Sequence, residues 1–118
     1  YRETVGIYRN AKVVLNVMPW AKDGLHDRIL STMLSGAVSV TDATKLLEAE
    51  WNQEDALSIY SLNNLPALAK NVKLLLADNE KMEMIAANGR KRAMEAHTWQ
   101  HRAQQLEVFL EKVLKEEN

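Results

Sequence analysis

A short stretch holds the groups best suited to an anion: Gly24, His26, Asp27 and Arg28 follow one another closely. Glycine lets backbone approach a ligand. Arg28 offers a forked cation in the first turn of a helix that opens near His26. Helix N-termini present unpaired N–H groups and about half a positive charge, which suits phosphate. His26 can act as acid, base or phosphate donor. The plain alternative is an ordinary strand-to-helix loop, with His26 capping or exposed, Asp27 complementing the dipole and Arg28 in a surface pair. One glycine is not a phosphate-cradling motif. Asp42, at the carboxyl end of a strand, can accept from ligand hydroxyls or simply cap the next helix. His97 and His101 have the i, i+4 spacing of a metal pair on a helix. Thr98 starts a helix between them and no third ligand is in view, so no metal is assigned. Arg90-Lys91-Arg92 reads as a solvated face. Glu48 and Glu50, near Trp51, have no evident partner.

The elements that position these groups lie in LNVMPWAKDGLHDRILSTMLSGAVSVTD, Leu15 to Asp42. An apolar run at Val13–Val17, within a strand Lys12–Val17, leads into the loop Met18–Leu25. A helix follows from about His26 to Ser35, with Ile29, Leu30, Met33 and Leu34 on its apolar face. Arg28, Ser31 and Ser35 form a polar stripe, and Gly36 suits the C-cap. A second run, Ala37–Thr41, ends at Asp42. Strand, helix, strand with a right-handed crossover makes a parallel βαβ unit. Ligands of open parallel sheets bind outside the carboxyl ends of the strands. Both strands end on one edge, and the site is placed there.

The remaining pattern is helix-rich. Arg2 to Asn10 reads as a helix with Tyr1, Val5 and Tyr8 on one face. Thr41 or Asp42 is expected to cap a short helix through Leu47 and Glu48. Trp51–Asp55 reads as a polar turn, and Ala56–Tyr60 as a third strand. A helix with Pro66 in its first turn runs to Leu76, with Leu65, Leu68, Val72, Leu75 and Leu76 on one face. Asp78 or Asn79 caps the next, to Ala96, lined by Met82, Ile85, Ala86, Gly89 and Ala93. Thr98 caps the last, whose seam is Trp99, Ala103, Leu106, Leu110 and Val113. The tail from Lys115 is charged. Trp20 is expected to pack, either locally or on a neighbour. The fold class is α/β: a partial doubly wound, Rossmann-like domain with about three parallel strands and a helix-rich second half.

The chain has 118 residues, 15 basic and 16 acidic, and net charge -1. That balance speaks against a nucleic-acid partner. There is no cysteine, which removes disulfide and thiolate chemistry and fits a reducing, cytoplasmic setting. No apolar run approaches the roughly 20 residues of a membrane span. The chain opens on Tyr1 in mid-pattern, so a piece of a longer protein is expected. A nicotinamide-binding half-domain would need a glycine-rich turn after a strand, which is missing.

The order LNVMPW…DGLHDRILSTMLSGAVSVTD, LLEAEW, a strand, then NLPALAKNVKLLLADNEKMEMIAANGRKRAMEAHTW resembles the C-terminal domain of GT-B glycosyltransferases. It is most similar to the group 1, spore-maturation-protein-like type, over about Val13 to Phe109. The resemblance implies a hexosyltransferase-like enzyme that moves a sugar from a nucleotide-sugar donor to an acceptor bound by a separate N-terminal domain. No cofactor or metal is implied. The family pattern places two acids, with seven residues between them, before a glycine. Counted back from Gly36, they fall on Asp23, which keeps the charge and would face the donor sugar, and on Ser31, which does not and cannot grip two ribose hydroxyls bidentately. Gly24, His26, Asp27 and Arg28 occupy the loop that meets diphosphate or sugar, with Thr41 and Asp42 beside it. A fragment of this kind is expected to be inactive alone. The alternative is a non-catalytic nucleotide-sugar-binding or interaction module.

Overall fold

Alternating apolar runs and amphipathic segments build a three-stranded parallel sheet with helices on both faces. The computed structural model describes residues 2–51 and 55–117. The elements are α1 (Arg2–Asn10), β1 (Val13–Asn16), α2 (Asp27–Leu34), β2 (Val38–Asp42), α3 (Lys45–Glu50), β3 (Ser58–Tyr60), α4 (Leu65–Ala77), α5 (Asn79–Ala96) and α6 (Trp99–Glu116). The strand order is β1-β2-β3. Val13 lies opposite Val38 and Asn16 opposite Thr41, while Asp42 lies opposite Tyr60. The carboxyl ends of all three strands therefore share one edge, as the βαβ reading requires.

The central strand is buried along its whole length. Val38 and Val40 join Tyr60, Leu75, Met82 and Ile85 in one core. On the other face Ile29 and Met33 of α2 pack with Leu47, Trp51, Ala56, Leu57 and Ala93. Burial on both faces is what a near-continuous apolar run in a parallel sheet predicts. The strand boundaries are tighter than the apolar runs, with Lys12, Val17, Ala56 and Leu57 outside the ladders.

Four expectations need correction. The cap of α3 is Thr44, whose Oγ1 accepts from Leu47 N–H at 3.2 Å, not Thr41 or Asp42. Those two are held in β2, and the pairing continues past it as Ala43 N–H donates to Tyr60 O at 3.0 Å. Trp51 does not sit in a polar turn. It is the C-cap of α3 and 1% exposed, and the rest of that expected turn, Asn52 to Glu54, lies outside the described residues, as does Tyr1. Arg92 leaves the solvated face of α5: its guanidinium carbon lies 3.8 Å from the Trp51 ring centroid, and its Nη2 donates to Glu50 O. On α4 only Leu75 is buried, with Leu68 and Val72 packed beside it; Leu65 and Leu76 are exposed, because α4 covers the sheet edge with a narrow stripe.

Two helices differ in how they are held. On α5 the expected line of Met82, Ile85, Gly89 and Ala93 is buried. The seam of α6 is left largely exposed, and no residue of that helix is buried. Its start is tied to the body through Thr98, which forms a capping box with His101, and through Arg102, whose Nη2 lies 2.7 Å from His97 Nδ1. Among the described residues no helix is long and apolar enough to cross a membrane.

Gly89 and Gly6 should respond to alanine in opposite directions. A Cβ on Gly89 would stand 2.5 Å from the Ala56 carbonyl oxygen, a backbone atom that cannot turn aside. Overpacking of this kind costs typically 1–3 kcal/mol, more than the roughly 1 kcal/mol that alanine gains over glycine in a helix. Gly89→Ala should lower the thermal midpoint. Gly6 has nothing within 4 Å of that position, so Gly6→Ala should raise it.

His97 supplies a pH dependence. Burial first, then the cations of Arg102 and Arg92, push its pKa below the ordinary histidine value of 6.5. The folded state therefore favours the neutral ring, and its contribution is present above pH 6.5 and lost as pH falls through the folded pKa. Thermal melts of wild type should drop on acidification below about pH 6.5, and His97→Gln should flatten that limb.

Candidate functional site

At the carboxyl edge of the sheet the polar side chains of β1 and β2 meet the first turn of α2. Asn16, the last residue of β1, donates from Nδ2 to Thr41 Oγ1 at 2.9 Å. Its Oδ1 accepts from Arg28 Nη1 at 2.8 Å. Its backbone carbonyl accepts from the Tyr60 hydroxyl at 2.9 Å. Burial, and secondarily the Asp42 carboxylate, raise the Tyr60 pKa above 10.0, so the phenol stays a donor at neutral pH. One residue thus links all three strands and α2. Beside it lies a small cleft of about 140 Å³, bordered among others by Asn16, Met18, Gly24, His26, Thr41 and Thr44.

The loop between β1 and α2 is tied down at both ends of β2's exit. Asp42 is 1% exposed, and its Oδ1 accepts from Met18 N–H at 3.0 Å. Its Oδ2 is buried with no hydrogen-bond partner among the described residues. Lys45 N–H donates to Lys22 O at 2.9 Å. Asp23 pairs with Lys45 at 2.9 Å, both largely exposed, a pair worth about 0–1 kcal/mol.

His26 is the N-cap of α2. Its Nδ1 accepts from Arg28 N–H at 3.0 Å and lies 3.0 Å from Asp27 Oδ1. The two partners compete for one nitrogen. An Nδ1 without a proton serves Arg28 N–H, and an Nδ1 that carries one serves Asp27. One of the helix N-terminal donors is thus taken up within the protein.

The sequence-read residues divide between two sides of α2. Gly24, His26 and Thr41 border the small cleft, and Arg28, which does not line it, is bonded to Asn16, which does. Asp27 and Ser31 instead border a larger cavity of about 530 Å³ shared with Leu34, Trp51, His97 and Trp99. The polar stripe is therefore split: Arg28 turns to β1, while Ser31 faces α3 and the start of α6. Thr41 and Asp42 are each 1% exposed, and Asp23 stands out on the surface. Arg28 pairs with neither Asp23 nor Asp27. The nitrogen Nδ1 of His97 contacts Arg102 and that of His101 contacts Thr98, so each ring has a local partner. The residue missed by sequence reading is Asn16, together with Tyr60. The lone polar residue inside the apolar run Val13–Val17, near its carboxyl end, is the signal that could have found it.

The family profile described as glycosyl transferase-like matches residues 1–108. A search of curated proteins returns no match. Among solved structures, sucrose-phosphate synthase from Thermosynechococcus elongatus superposes with a TM-score of 0.79 at 21% identity, over 96% of this chain. At that identity the likeness is one of fold, and the chain spans 28% of that protein's length. An α/β architecture built on a small parallel sheet, matched by a family profile over nearly all its residues, leads to one conclusion: the chain belongs to the glycosyl transferase-like family.

Proposed function

We propose that this chain is the C-terminal part of the donor-binding domain of a glycosyltransferase, and that it helps hold the diphosphate of a nucleotide-sugar. The observation that carries the reading is the Arg28 guanidinium, fixed by Asn16 at the carboxyl edge of a parallel sheet beside the Gly24–His26 cleft. Ligands of such sheets bind at that edge, and a planar fork of donors matches a diphosphate. In this reading Gly24 admits the ligand, and His26 orders the first turn. Asp23 lies at the loop's outer face, where it can meet the donor sugar. Thr41 and Asp42 act from beneath, by holding Asn16 and Met18. The acceptor is bound by a second domain of the longer protein, and the chain alone does not turn over. The reaction needs no cofactor, and the nucleotide-sugar is the substrate. The setting proposed is the cytoplasm.

Arg28→Ala in the full-length protein tests the reading. A hydrogen bond to a charged group is worth about 1.5–3 kcal/mol, so calorimetric titration should show nucleoside diphosphate binding weakened roughly 10- to 100-fold. The substitution also strands the buried Asn16 Oδ1, so the melt should fall by the equivalent of about 1–3 kcal/mol. Unchanged affinity would end the reading.

A second reading, a non-catalytic module, draws on Ser31 standing where the family pattern has an acid. Because Ser31 faces the larger cavity rather than the Gly24–His26 cleft, Ser31→Glu should leave nucleoside diphosphate affinity within about threefold of wild type, less than 1 kcal/mol. A gain of tenfold or more would mark a decayed donor site and favour the module.

A further inference from the structure

The partner chosen for Arg28 is unusual. Buried or half-buried guanidinium groups are most strongly held by carboxylates, through charge-assisted and often bidentate bonds. Here the partner is the neutral amide of Asn16, which is 2% exposed and at 2.8 Å from Arg28 Nη1. Arginine only donates, so the amide oxygen must face it, and the amide nitrogen is thereby directed to Thr41 Oγ1 at 2.9 Å. Thr41 is itself buried in the central strand, and the Asn16 carbonyl is fixed by Tyr60. The amide therefore has one available orientation, and it sets that of the guanidinium. The nearby acids do not pair with it: Asp23 is engaged with Lys45, Asp42 Oδ1 accepts from Met18 N–H, and Asp27 approaches the His26 ring instead.

An aspartate at position 16 would hold Arg28 in much the same geometry. It would also cancel the charge. Asparagine supplies the acceptor without the countercharge, so the guanidinium is oriented and its positive charge stays available to an anion. We infer that Asn16 is a positioning residue that aims Arg28 at the donor's diphosphate while leaving its charge uncompensated, an inference that rests on the donor-binding reading above. Asn16 does so from the border of the cleft, through its bond to Arg28.

The test is a cycle in the full-length protein: wild type, Asn16→Asp, Arg28→Ala and the double variant, each titrated calorimetrically with UDP, GDP and ADP and melted alongside. Asn16→Asp should weaken the diphosphate that wild type binds by about tenfold or more, with a melt at or above that of wild type, because the carboxylate still accepts from Arg28 and the Thr41 hydroxyl, which accepts from the wild-type amide, can turn to donate to it. The double variant should bind no worse than Arg28→Ala alone. A purely structural role would instead lower the melt and add its effect to that of Arg28→Ala. If Asn16→Asp fails to melt cooperatively, Asn16→Ser carries the same cycle: it keeps a neutral site, shortens its reach, and should bind between wild type and Arg28→Ala. Weak binding by Arg28→Ala with wild-type binding by Asn16→Asp overturns the positioning role alone. Additive losses overturn it too. Wild-type binding by Arg28→Ala overturns the donor reading, and the inference with it.

Discussion

The hydrogen bonds of Asn16 are the constraint on which the carboxyl edge depends. A buried amide must satisfy its oxygen and its nitrogen, or each unmade bond costs about 1–3 kcal/mol. Asn16 meets that demand with Thr41 on the neighbouring strand and Arg28 on the crossover helix, and its carbonyl takes the Tyr60 hydroxyl. Register between β1 and β2 follows. Only with Asn16 opposite Thr41 can the amide reach the threonine hydroxyl. A slip by one residue would put the amide on the other face and leave three polar groups without partners. The same bonds set how far α2 lies from the sheet end, since the guanidinium reach is fixed. An edge that must meet a ligand is thus built from bonds whose loss the fold feels directly.

Legibility in the sequence tracks how local each signal is. The βαβ unit was readable because apolar runs, Gly36 and the helical stripe of Ile29, Leu30, Met33 and Leu34 all act within a few residues. Gly36 does adopt positive φ, at 87°, just after α2. The α5 line was readable for the same reason, and its awkward glycine proved to be a close approach. Trp51 was not readable, because its ring is covered by Arg92 and His97, more than forty positions away, and it joins Ile29 and Met33 of α2 in one core. Asn16 was not singled out because its role depends on residues 12, 25 and 44 positions distant. Side-chain networks that cross elements leave no period in the sequence. Arg28 was legible as a candidate but its partner was not: charge complementarity along the chain points to Asp23 or Asp27, and geometry gives a neutral amide instead.

The division of α2 into two polar aspects also escapes a stripe drawn at helical spacing. Residues 28 and 31 are neighbours on the helix surface, yet β1 draws Arg28 to one side while α3 and the α5–α6 corner border Ser31 on the other. Proximity on a helical wheel is therefore no guarantee of a shared site when neighbouring elements flank the helix. The larger cavity, with Trp51, His97 and Trp99 around it, belongs to the joint where α6 departs. Trp99 is 81% exposed there, and Trp20, in the loop before α2, is 77% exposed. Large apolar groups left in water at a domain's surface often mark places where further protein packs, and one of these stands in the loop that leads into the helix carrying Arg28.

The position of Arg28 is finally a matter of packing from below. Met33, on the opposite aspect of α2, is fully buried, and its Cγ lies 3.4 Å from where a Cβ on Gly89 would stand. Gly89 is small because the Ala56 carbonyl occupies the space a side chain would need. The approach of α5 to the segment before β3 therefore sets how closely α2 can settle on the core. Interiors packed to crystal density transmit such constraints rather than absorbing them. A shift of α5 outward would let Met33 follow it, tilt α2, and draw Arg28 away from Asn16. The amide bond at the strand end and the missing side chain at Gly89 are two ends of one lever. One fixes the helix's first turn against the sheet edge, and the other fixes its buried flank against the core.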